Sequence, residues 1–383
     1  MPQLEHVGIA IDEVEAVINC FDDLLGTRPY KAETVATQHV RTHFLDAATA
    51  KLEFLEALTD DSAVHRFLDR RGEGLHHLAF EVDDADAAME RLRAAGFTLL
   101  SDTPQPGADD KRIFFVHPKE THGVLVEFCE TTAAEWTADT ITHDDGRTVA
   151  TYERGADDAP PLVLLHGAAG SIRDEVAPLM RRLESSYHLI GVDLSGHGAS
   201  SLPPDDTLTM EHFVADVQAA LDHYAVPEAH LFGFSLGSAV ALRSAHAAPD
   251  RVKRLALFAP NHQWDASLAA AMKARLRLDE RPPEEKKALH AQHKNPARLF
   301  SALRDFVDSL PARNDAIADT LSGVRASTLV IGLDEDPLFP IESTLQVHEA
   351  LPNARLSILP GRRHSLPKGP LPQVASLLHG HLS

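Results

Sequence analysis

The sequence of 383 residues is long enough for two or three domains, and its 44% hydrophobic and 24% charged residues are typical of a globular protein. Its 57 acidic and 36 basic side chains give a net charge of −21, which argues against nucleic acid as a partner. No apolar run approaches the ~20 residues of a membrane span, and a count of two cysteines, Cys20 and Cys129, favours a reducing cytoplasm.

The first predicted elements repeat one pattern twice. Each copy consists of a strand with a histidine, an amphipathic helix that ends in glycine, and a closing strand with a glutamate. The first copy supplies His6 and Glu53, and the second supplies His77 and Glu127. A duplicated unit of this kind predicts two related modules with one shared site between them.

The four repeated residues predict a metal site. Two imidazoles and two carboxylates form a mixed nitrogen and oxygen set, which suits a divalent ion such as Co, Mn, Zn, Ni or Mg. We therefore predict that the ligands are His6, Glu53, His77 and Glu127. Because neighbouring side chains of a strand face opposite sides, His76 is predicted to point away from the metal.

Three motifs in this region resemble the methylmalonyl-CoA epimerases of the vicinal oxygen chelate superfamily. They are the stretches Arg71–His77, Phe115–Lys119 and Gly123–Glu127. The resemblance implies an α+β fold of paired βαβββ modules over residues 1–130, a divalent metal on the same four ligands, and a homodimer. It also implies a small-molecule substrate of the acyl-CoA type, with Glu127 moving the proton alpha to the thioester carbonyl.

The expected second acid of this chemistry is replaced. In the epimerases a partner acid lies on the strand that matches residues 37–43, and its position holds Thr37 in this sequence. Threonine cannot transfer the proton, so a two-base epimerisation would need another group. Strand alternation would put His39 and His43 on the same face as Thr37. Either histidine is a candidate replacement, and a solvated strand face is the other interpretation.

The pattern changes after a short, small and polar stretch at residues 131–137, which we interpret as a linker. A predicted hairpin at residues 138–153 turns at Asp145-Gly146, a pair that suits a tight turn. Buried strands then alternate with helices, which predicts a parallel sheet covered on both faces. A charged helical insertion at about 260–323 is predicted to form a lid.

A predicted strand meets a predicted helix at Gly233-Phe234-Ser235-Leu236-Gly237, a G-x-S-x-G motif. In that context the motif indicates a nucleophile elbow, in which small residues allow the tight turn that exposes Ser235. The loop after the first parallel strand has the form of an oxyanion loop, so we predict that the backbone N–H groups of Ala168 and Leu236 bind the oxyanion. His197, in a D-x-x-G-H-G-x-S turn, is expected to be structural.

Proteins with this type of nucleophile elbow carry their catalytic groups in the chain order serine, acid, histidine. Asp336 is the favoured acid, Asp334 is the reserve, and His364 is the predicted base that takes the proton from Ser235. Residues 138–383 thus resemble the α/β-hydrolase fold with a helical lid. The predicted chemistry is hydrolysis of an ester or thioester, with lactones and C–C bonds of diketones as further substrate classes.

Together these predictions describe a two-domain cytoplasmic enzyme with an enolising metal site and a serine hydrolase site. Their fusion suggests linked steps on one substrate. Two alternatives stay open. In the first, only the hydrolase is catalytic and the N-terminal domain binds a ligand or mediates dimerisation. In the second, the whole chain is a ligand receptor, as some proteins with a hydrolase fold are.

Overall fold

The structure is a computed structural model that describes residues 3–47, 50–82, 84–131, 138–367, 369 and 371–383. The chain folds into two compact units, Met1–Glu135 and Trp136–Ser383. The linker predicted at residues 131–137 lies, apart from its first residue, outside the described part of the chain. Across the described residues, none of the helices combines the length and the apolar character that a membrane crossing requires.

The first unit contains one sheet of eight strands with three helices. The strands are β1 (Gln3–Ile11), β2 (Lys31–Val35), β3 (Val40–Asp46), β4 (Lys51–Ala57), β5 (Gly74–Glu81), β6 (Gln105–Pro106), β7 (Lys111–Val116) and β8 (Leu125–Thr131). The helices are α1 (Val14–Leu25), α2 (Ala63–Arg71) and α3 (Ala85–Ala94). The order β1-α1-β2-β3-β4 is repeated as β5-α3-β6-β7-β8, which confirms the paired βαβββ modules.

The strand order of this sheet is β2-β3-β4-β1-β5-β8-β7-β6, so the first strands of both modules lie side by side at its centre. β1 pairs with β5 in antiparallel orientation, and each of them pairs in parallel with the last strand of its own module. On one face, Ile11, Leu45 and Phe54 form a buried cluster under Val17 and Phe21 of α1. Because side chains alternate along a strand, the residues between them face the other side of the sheet.

The second unit contains another eight-stranded sheet, in the order β16-β15-β14-β13-β11-β12-β10-β9. Its strands are β9 (Asp139–Thr142), β10 (Thr148–Arg154), β11 (Pro161–Leu165), β12 (His188–Asp193), β13 (Ala229–Phe234), β14 (Val252–Phe258), β15 (Ser327–Leu333) and β16 (Ala354–Leu359). The strands β11 to β16 pair in parallel, whereas β9 and β10 form the predicted antiparallel hairpin. This arrangement confirms the α/β-hydrolase fold class.

Nine further helices belong to the described part of this unit. They are α4 (Ala177–Leu183), α5 (Met210–His223), α6 (Leu236–Ala247), α7 (Ala266–Arg275), α8 (Pro283–Gln292), α9 (Pro296–Ser309), α10 (Asn314–Gly323), α11 (Ile341–Ala350) and α12 (Leu371–Leu382), with short helical turns at Ile172–Val176, Pro249–Arg251 and Leu310–Arg313. Helices α7 to α10 form the insertion predicted as a lid. Side-chain caps start α7 at Asp265 and α9 at Asn295, because each accepts a hydrogen bond from a backbone N–H of the first turn.

Candidate active sites

The four predicted metal ligands converge on the central strands of the first sheet. His6 lies in β1, Glu53 in β4, His77 in β5 and Glu127 in β8. The register brings Gly8 of β1 opposite Glu53 on one side and opposite His77 on the other. Each of the four ligand residues is at most 5% exposed. The pairing of the strands therefore brings four residues that are far apart in the sequence into one buried cluster.

The reactive atoms of this cluster lie close together. Nε2 of His6 lies 2.9 Å from Nε2 of His77 and 3.0 Å from Oε2 of Glu53. Nε2 of His77 lies 3.5 Å from Oε2 of Glu53 and 3.4 Å from Oε2 of Glu127. Ligands bound at about 2.1 Å to one ion lie about 3 to 3.5 Å from each other in common geometries. The separations and the nitrogen and oxygen donors of the cluster thus fit a divalent ion.

A bulge in β1 adds a partner that sequence reasoning missed. Leu4 pairs with Phe80 and His6 pairs with Ala79, which leaves Glu5 as an extra residue in the ladder. A bulge can turn two consecutive side chains to the same side. The Glu5 carboxylate accepts a hydrogen bond from Nδ1 of His6. That bond keeps the proton on Nδ1 and leaves Nε2 free to bind a metal.

A second bulge corrects the prediction for His76. Gly8 pairs with His77 and Ile9 pairs with Leu75, so His76 is the extra residue of β5. Strict alternation fails here, and His76 does not point away: its Nδ1 lies 3.0 Å from Nδ1 of His77. Burial and the neighbouring imidazole of His77 lower the pKa of His76 to about 4. In both modules the residue before the ligand histidine thus contacts its Nδ1.

Two buried lysines lie close to Glu5, the carboxylate that contacts His6. Nζ of Lys51 lies 2.6 Å from both Glu5 and Asp109, and Nζ of Lys111 lies 3.1 Å from Glu5. Burial alone would lower the pKa of Lys51, but the charges of Asp109 and Glu5 raise it well above its ordinary value. Glu5, Lys51, Asp109 and Lys111 escaped the sequence analysis because a buried network of charges has no spacing signature.

The two predicted ligand carboxylates, Glu53 and Glu127, differ in their proton affinity. Burial raises the pKa of Glu127. At Glu53 burial acts in the same direction, but the imidazoles of His6 and His77 outweigh it and lower the pKa. Burial alone would lower the pKa of His6, whereas the carboxylates of Glu53 and Glu5 raise it to about 10. Of these two carboxylates, Glu127 therefore has the higher proton affinity.

A cavity of about 500 Å³ opens on this cluster, and Thr37 and His39 line it. The prediction that Thr37, His39 and His43 share one strand face is wrong, because residues 36–39 form the turn between β2 and β3. His39 has a φ of 56° and its Nδ1 lies 2.9 Å from Oγ1 of Thr59. His43 lies on the other face of β3, with Nε2 3.4 Å from Glu56, and is no candidate for the missing acid.

In the second unit the serine motif forms a tight turn between β13 and α6. Ser235 has φ 53° and ψ −111°, a backbone conformation that costs energy for any residue except glycine. A Cβ on Gly233 would lie 2.2 Å from the carbonyl oxygen of Gly237, and a Cβ on Gly237 would lie 2.6 Å from the carbonyl oxygen of Leu165. Both glycines are needed because backbone occupies the space of a side chain.

The three predicted catalytic side chains of this unit meet at the carboxyl ends of their strands. Nε2 of His364 lies 3.0 Å from Oγ of Ser235, and Nδ1 of His364 lies 2.6 Å from Oδ2 of Asp336. The other oxygen of Asp336 accepts backbone hydrogen bonds from Leu338 and Phe339, which hold the carboxylate in place. Asp334, the reserve candidate, instead accepts a backbone hydrogen bond from Arg362 at 3.3 Å.

The predicted oxyanion loop lies beside the serine, and Ala168 and Leu236 both line the cavity that contains Ser235. The backbone of this loop is fixed by Glu175, whose carboxylate accepts a hydrogen bond from the N–H of Gly167 at 2.8 Å. Burial raises the pKa of Glu175 to about 7. His197 is fully buried, and its Nδ1 lies 3.1 Å from the carbonyl oxygen of Ser195.

The cavity at Ser235 has a volume of about 140 Å³, and helices α7, α9 and α10 form much of its wall. Trp264 and Phe339 both line it, and their ring centroids are 6.0 Å apart. The lining is largely apolar, with Leu303 and Phe306 of α9 among its members. Apolar walls with few polar groups are typical of sites for small organic ligands.

Replacing Gly237 with alanine is expected to destabilise the second unit by about 1 to 3 kcal/mol, because the new methyl group would overlap the backbone at Leu165. The matched control is Gly380→Ala in α12, where a Cβ meets nothing within 4 Å. There alanine should stabilise the helix by about 0.5 to 1 kcal/mol. Urea unfolding of the two variants measures both changes, and midpoints that shift in the same direction would contradict the packing argument.

The two units of the chain are similar to different known proteins. Residues 5–115 match the Glyoxalase/Bleomycin resistance protein/Dioxygenase superfamily, and residues 160–296 match the alpha/beta hydrolase fold. An uncharacterized protein of Bacillus subtilis is 40% identical over 130 residues, which are 34% of this chain and 93% of that protein. An ethylmalonyl-CoA/methylmalonyl-CoA epimerase of Cereibacter sphaeroides is 35% identical over 127 residues, or 33% of this chain and 95% of that protein.

Among solved structures, a hydrolase from Pseudomonas aeruginosa PA01 is similar to the larger part of the chain. The match covers 65% of this chain and 99% of that protein, with a TM-score of 0.53 and 24% sequence identity. At this identity the likeness concerns the fold alone.

Proposed function

Because the chain belongs to the Glyoxalase/Bleomycin resistance protein/Dioxygenase superfamily over residues 5–115 and to the alpha/beta hydrolase fold over residues 160–296, we propose that it is an enzyme with two sites. The first site enolises an acyl thioester of the malonyl type and depends on a divalent metal. The second is a Ser-His-Asp hydrolase that cleaves an ester or thioester. The line of contacts from Ser235 through His364 to Asp336 carries the hydrolase assignment.

At the first site we propose that His6, Glu53, His77 and Glu127 hold the metal. A bound divalent ion would stabilise the negative charge that develops on the thioester oxygen when the alpha proton leaves. Glu127 removes that proton and returns it, because this chemistry needs a carboxylate next to the bound substrate as general base. Glu5 holds His6 in one tautomer, and the burial of the four ligands keeps water from competing for them.

At the second site Oγ of Ser235 attacks the carbonyl carbon while Nε2 of His364 accepts its proton. Asp336 holds the imidazole in the tautomer that this transfer needs and stabilises its positive charge. The N–H groups of Ala168 and Leu236 stabilise the oxyanion. His364 then passes the proton to the leaving alcohol or thiol, and a water attacks the acyl-serine by the same route.

The experiment that tests both assignments is mass spectrometry of methylmalonyl-CoA incubated with the protein and a divalent metal in heavy water. Deuterium at the alpha carbon is the expected result of the first site, and free CoA is the expected result if the second site accepts the same thioester. Absence of deuterium would refute the enolising assignment. Release of CoA without any dependence on Ser235 would refute the hydrolase assignment.

The loss of the second acid favours an alternative in which the first unit binds a ligand or mediates dimerisation without catalysis. Thr37 lies exposed in the turn between β2 and β3, and a hydroxyl cannot replace a carboxylate in proton transfer. Metal analysis and light scattering of the purified protein distinguish the two functions. A metal-free dimer without deuterium exchange would support the alternative, whereas one metal per chain with exchange supports the enzyme.

Gly8→Ala is expected to weaken metal binding at the first site roughly 10- to 100-fold, because the metal ligand His77 must keep its orientation. A Cβ on Gly8 would lie 2.2 Å from Cε1 of His77, so the imidazole has to move. Titration of the metal-free protein with Co²⁺, followed by absorption, measures the affinity. The control is Gly380→Ala in α12, where a Cβ meets no atom within 4 Å. Equal Co²⁺ affinity of Gly8→Ala and the wild type would contradict the assignment of His77.

A further inference from the structure

The cavity beside Ser235 contains an arginine that the hydrolytic mechanism does not use. Arg243 lies on α6 and lines the cavity together with Leu236 and Ala239. Residues spaced three and four apart share one face of a helix, so these three side chains lie in a row. The row begins next to Ser235 and ends at Arg243. The cavity therefore has a serine at one end and a cation at the other.

The charge of Arg243 has no counterion in the described part of the chain. Its Nη1 donates a hydrogen bond to Oγ1 of Thr320 at 3.2 Å, and no described carboxylate oxygen lies within 4.0 Å of the guanidinium. The other arginine of the cavity wall, Arg313, is 43% exposed and lies 3.9 Å from Glu211. A guanidinium offers five N–H donors, so one neutral hydroxyl leaves most of them available to a ligand.

The surroundings of Arg243 make its positive charge energetically unfavourable unless an anion binds to it. Arg243 is half-buried, and Met272, Leu276 and Leu303 belong to the same cavity wall. A charge beside apolar walls loses hydration, and the loss is offset when an opposite charge binds in its place. The planar guanidinium matches a carboxylate with two parallel hydrogen bonds. A carboxylate carried by the substrate would meet both requirements.

We propose that Arg243 binds a carboxylate at the far end of the substrate's acyl chain, so that the site cleaves half-esters or half-thioesters of dicarboxylic acids. This inference rests on the proposed hydrolase function of Ser235. Arg243 lies eight positions after Ser235 along the helix, which corresponds to about 12 Å along the axis. A malonyl group, with a single carbon between its two carboxyl carbons, cannot span that distance. The hydrolase site thus takes a longer diacid than the malonyl-type substrate proposed for the first site.

The test compares p-nitrophenyl octanoate with the mono-p-nitrophenyl ester of octanedioic acid, which differ only in the terminal group. The wild type should prefer the octanedioic half-ester in kcat/KM by roughly 10- to 100-fold, because charge-assisted hydrogen bonds are gained. Arg243→Met should remove the preference, so that the two esters are cleaved with similar kcat/KM. Arg243→Lys, which retains the charge but loses the bidentate geometry, should retain a part of the preference.

Two further variants separate anion binding from a structural role of Arg243. Thr320→Val removes the hydrogen bond between α10 and α6 but leaves the cation, and it should keep the preference for the half-ester. Arg277→Met removes an exposed arginine that pairs with Glu280, outside the cavity wall, and should change neither rate. If Arg243→Met lowers both rates equally, or if the wild type shows no preference, the proposal is overturned.

A failure of the hydrolase function itself can be recognised separately. If the wild type cleaves neither ester, the assignment of Ser235 fails. Calorimetric titration with monomethyl octanedioate and methyl octanoate then decides whether the cavity binds the anion. Binding of the half-ester that is lost in Arg243→Met supports the carboxylate site, and equal binding in both proteins, or none in the wild type, overturns it.

Discussion

Ser235→Ala is expected to reduce ester hydrolysis by about 10⁴-fold or more, because the variant loses the atom that forms the acyl intermediate. Alanine keeps the backbone conformation of Ser235 and leaves the His364–Asp336 pair intact, so the fold should be unchanged. Two measurements check the result: initial rates with a chromogenic ester, and labelling by a fluorophosphonate followed by peptide mass spectrometry. The label is expected on Ser235 of the wild type.

Ser301→Ala on α9 is a suitable control, because it removes an exposed hydroxyl of the same unit. It should keep wild-type rates and labelling. Persistence of hydrolysis in Ser235→Ala, or a label on another residue, would mean that the motif at the start of α6 does not provide the nucleophile.

Two aspartates follow β15, so the predicted acid of the triad can be compared with a neighbouring carboxylate. Asp336→Asn should lower kcat by about 10⁴-fold, because an amide can impose the wrong tautomer on His364. Asp334→Asn removes a carboxylate only two residues away, which accepts a single backbone hydrogen bond from Arg362, and should retain most of the activity. Comparable losses in both variants would show that the charge of the loop matters and not the contact with His364.

Glu127→Gln is expected to slow deuterium exchange into an acyl-CoA substrate by roughly 10²- to 10⁴-fold, because the amide cannot accept the alpha proton. Ester hydrolysis at Ser235 should be unaffected. Since the residue is also a proposed metal ligand, the exchange rate is measured at saturating metal and the bound metal is quantified. A variant that binds metal normally but does not exchange deuterium separates proton transfer from metal binding.

Glu56→Gln is the matched control, since Glu56 is a glutamate of β4 that contacts His43 on the opposite side of the sheet. It should leave metal content and exchange unchanged. Wild-type exchange in metal-saturated Glu127→Gln would contradict the role of Glu127 and direct attention to other groups that line the cavity, such as His39.

Much of the fold could be predicted from local sequence patterns. Strands β13 to β16 and the helices between them form the alternation that the apolar runs predicted, because a buried parallel strand needs a continuous apolar segment. The charged insertion that follows β14 is helical, as predicted. Its first helix, α7, begins at Ala266 because the side chain of Asp265 caps the first turn.

The cluster in the first unit shows where sequence patterns fail. Alternation along a strand presupposes a regular ladder, and the extra residues Glu5 and His76 break that ladder next to His6 and His77. Alternation also failed at His39, because the chain turns at residues 36–39 before β3 begins. Bulges and turns of this kind depend on how two strands pair. The sequence of one strand alone does not determine that pairing.

The repeated His and Glu residues and the G-x-S-x-G motif could be identified from the sequence because duplication and tight-turn chemistry leave local signatures. Only the tertiary structure could separate Asp336 from Asp334, or bring Glu5, Lys51 and Asp109 into one buried network. The same is true of Arg243, whose distance from any described carboxylate depends on the packing of α6 against α10. The reason is physical: pairing and burial of charges depend on distances between segments remote in the chain, and local composition does not specify those distances.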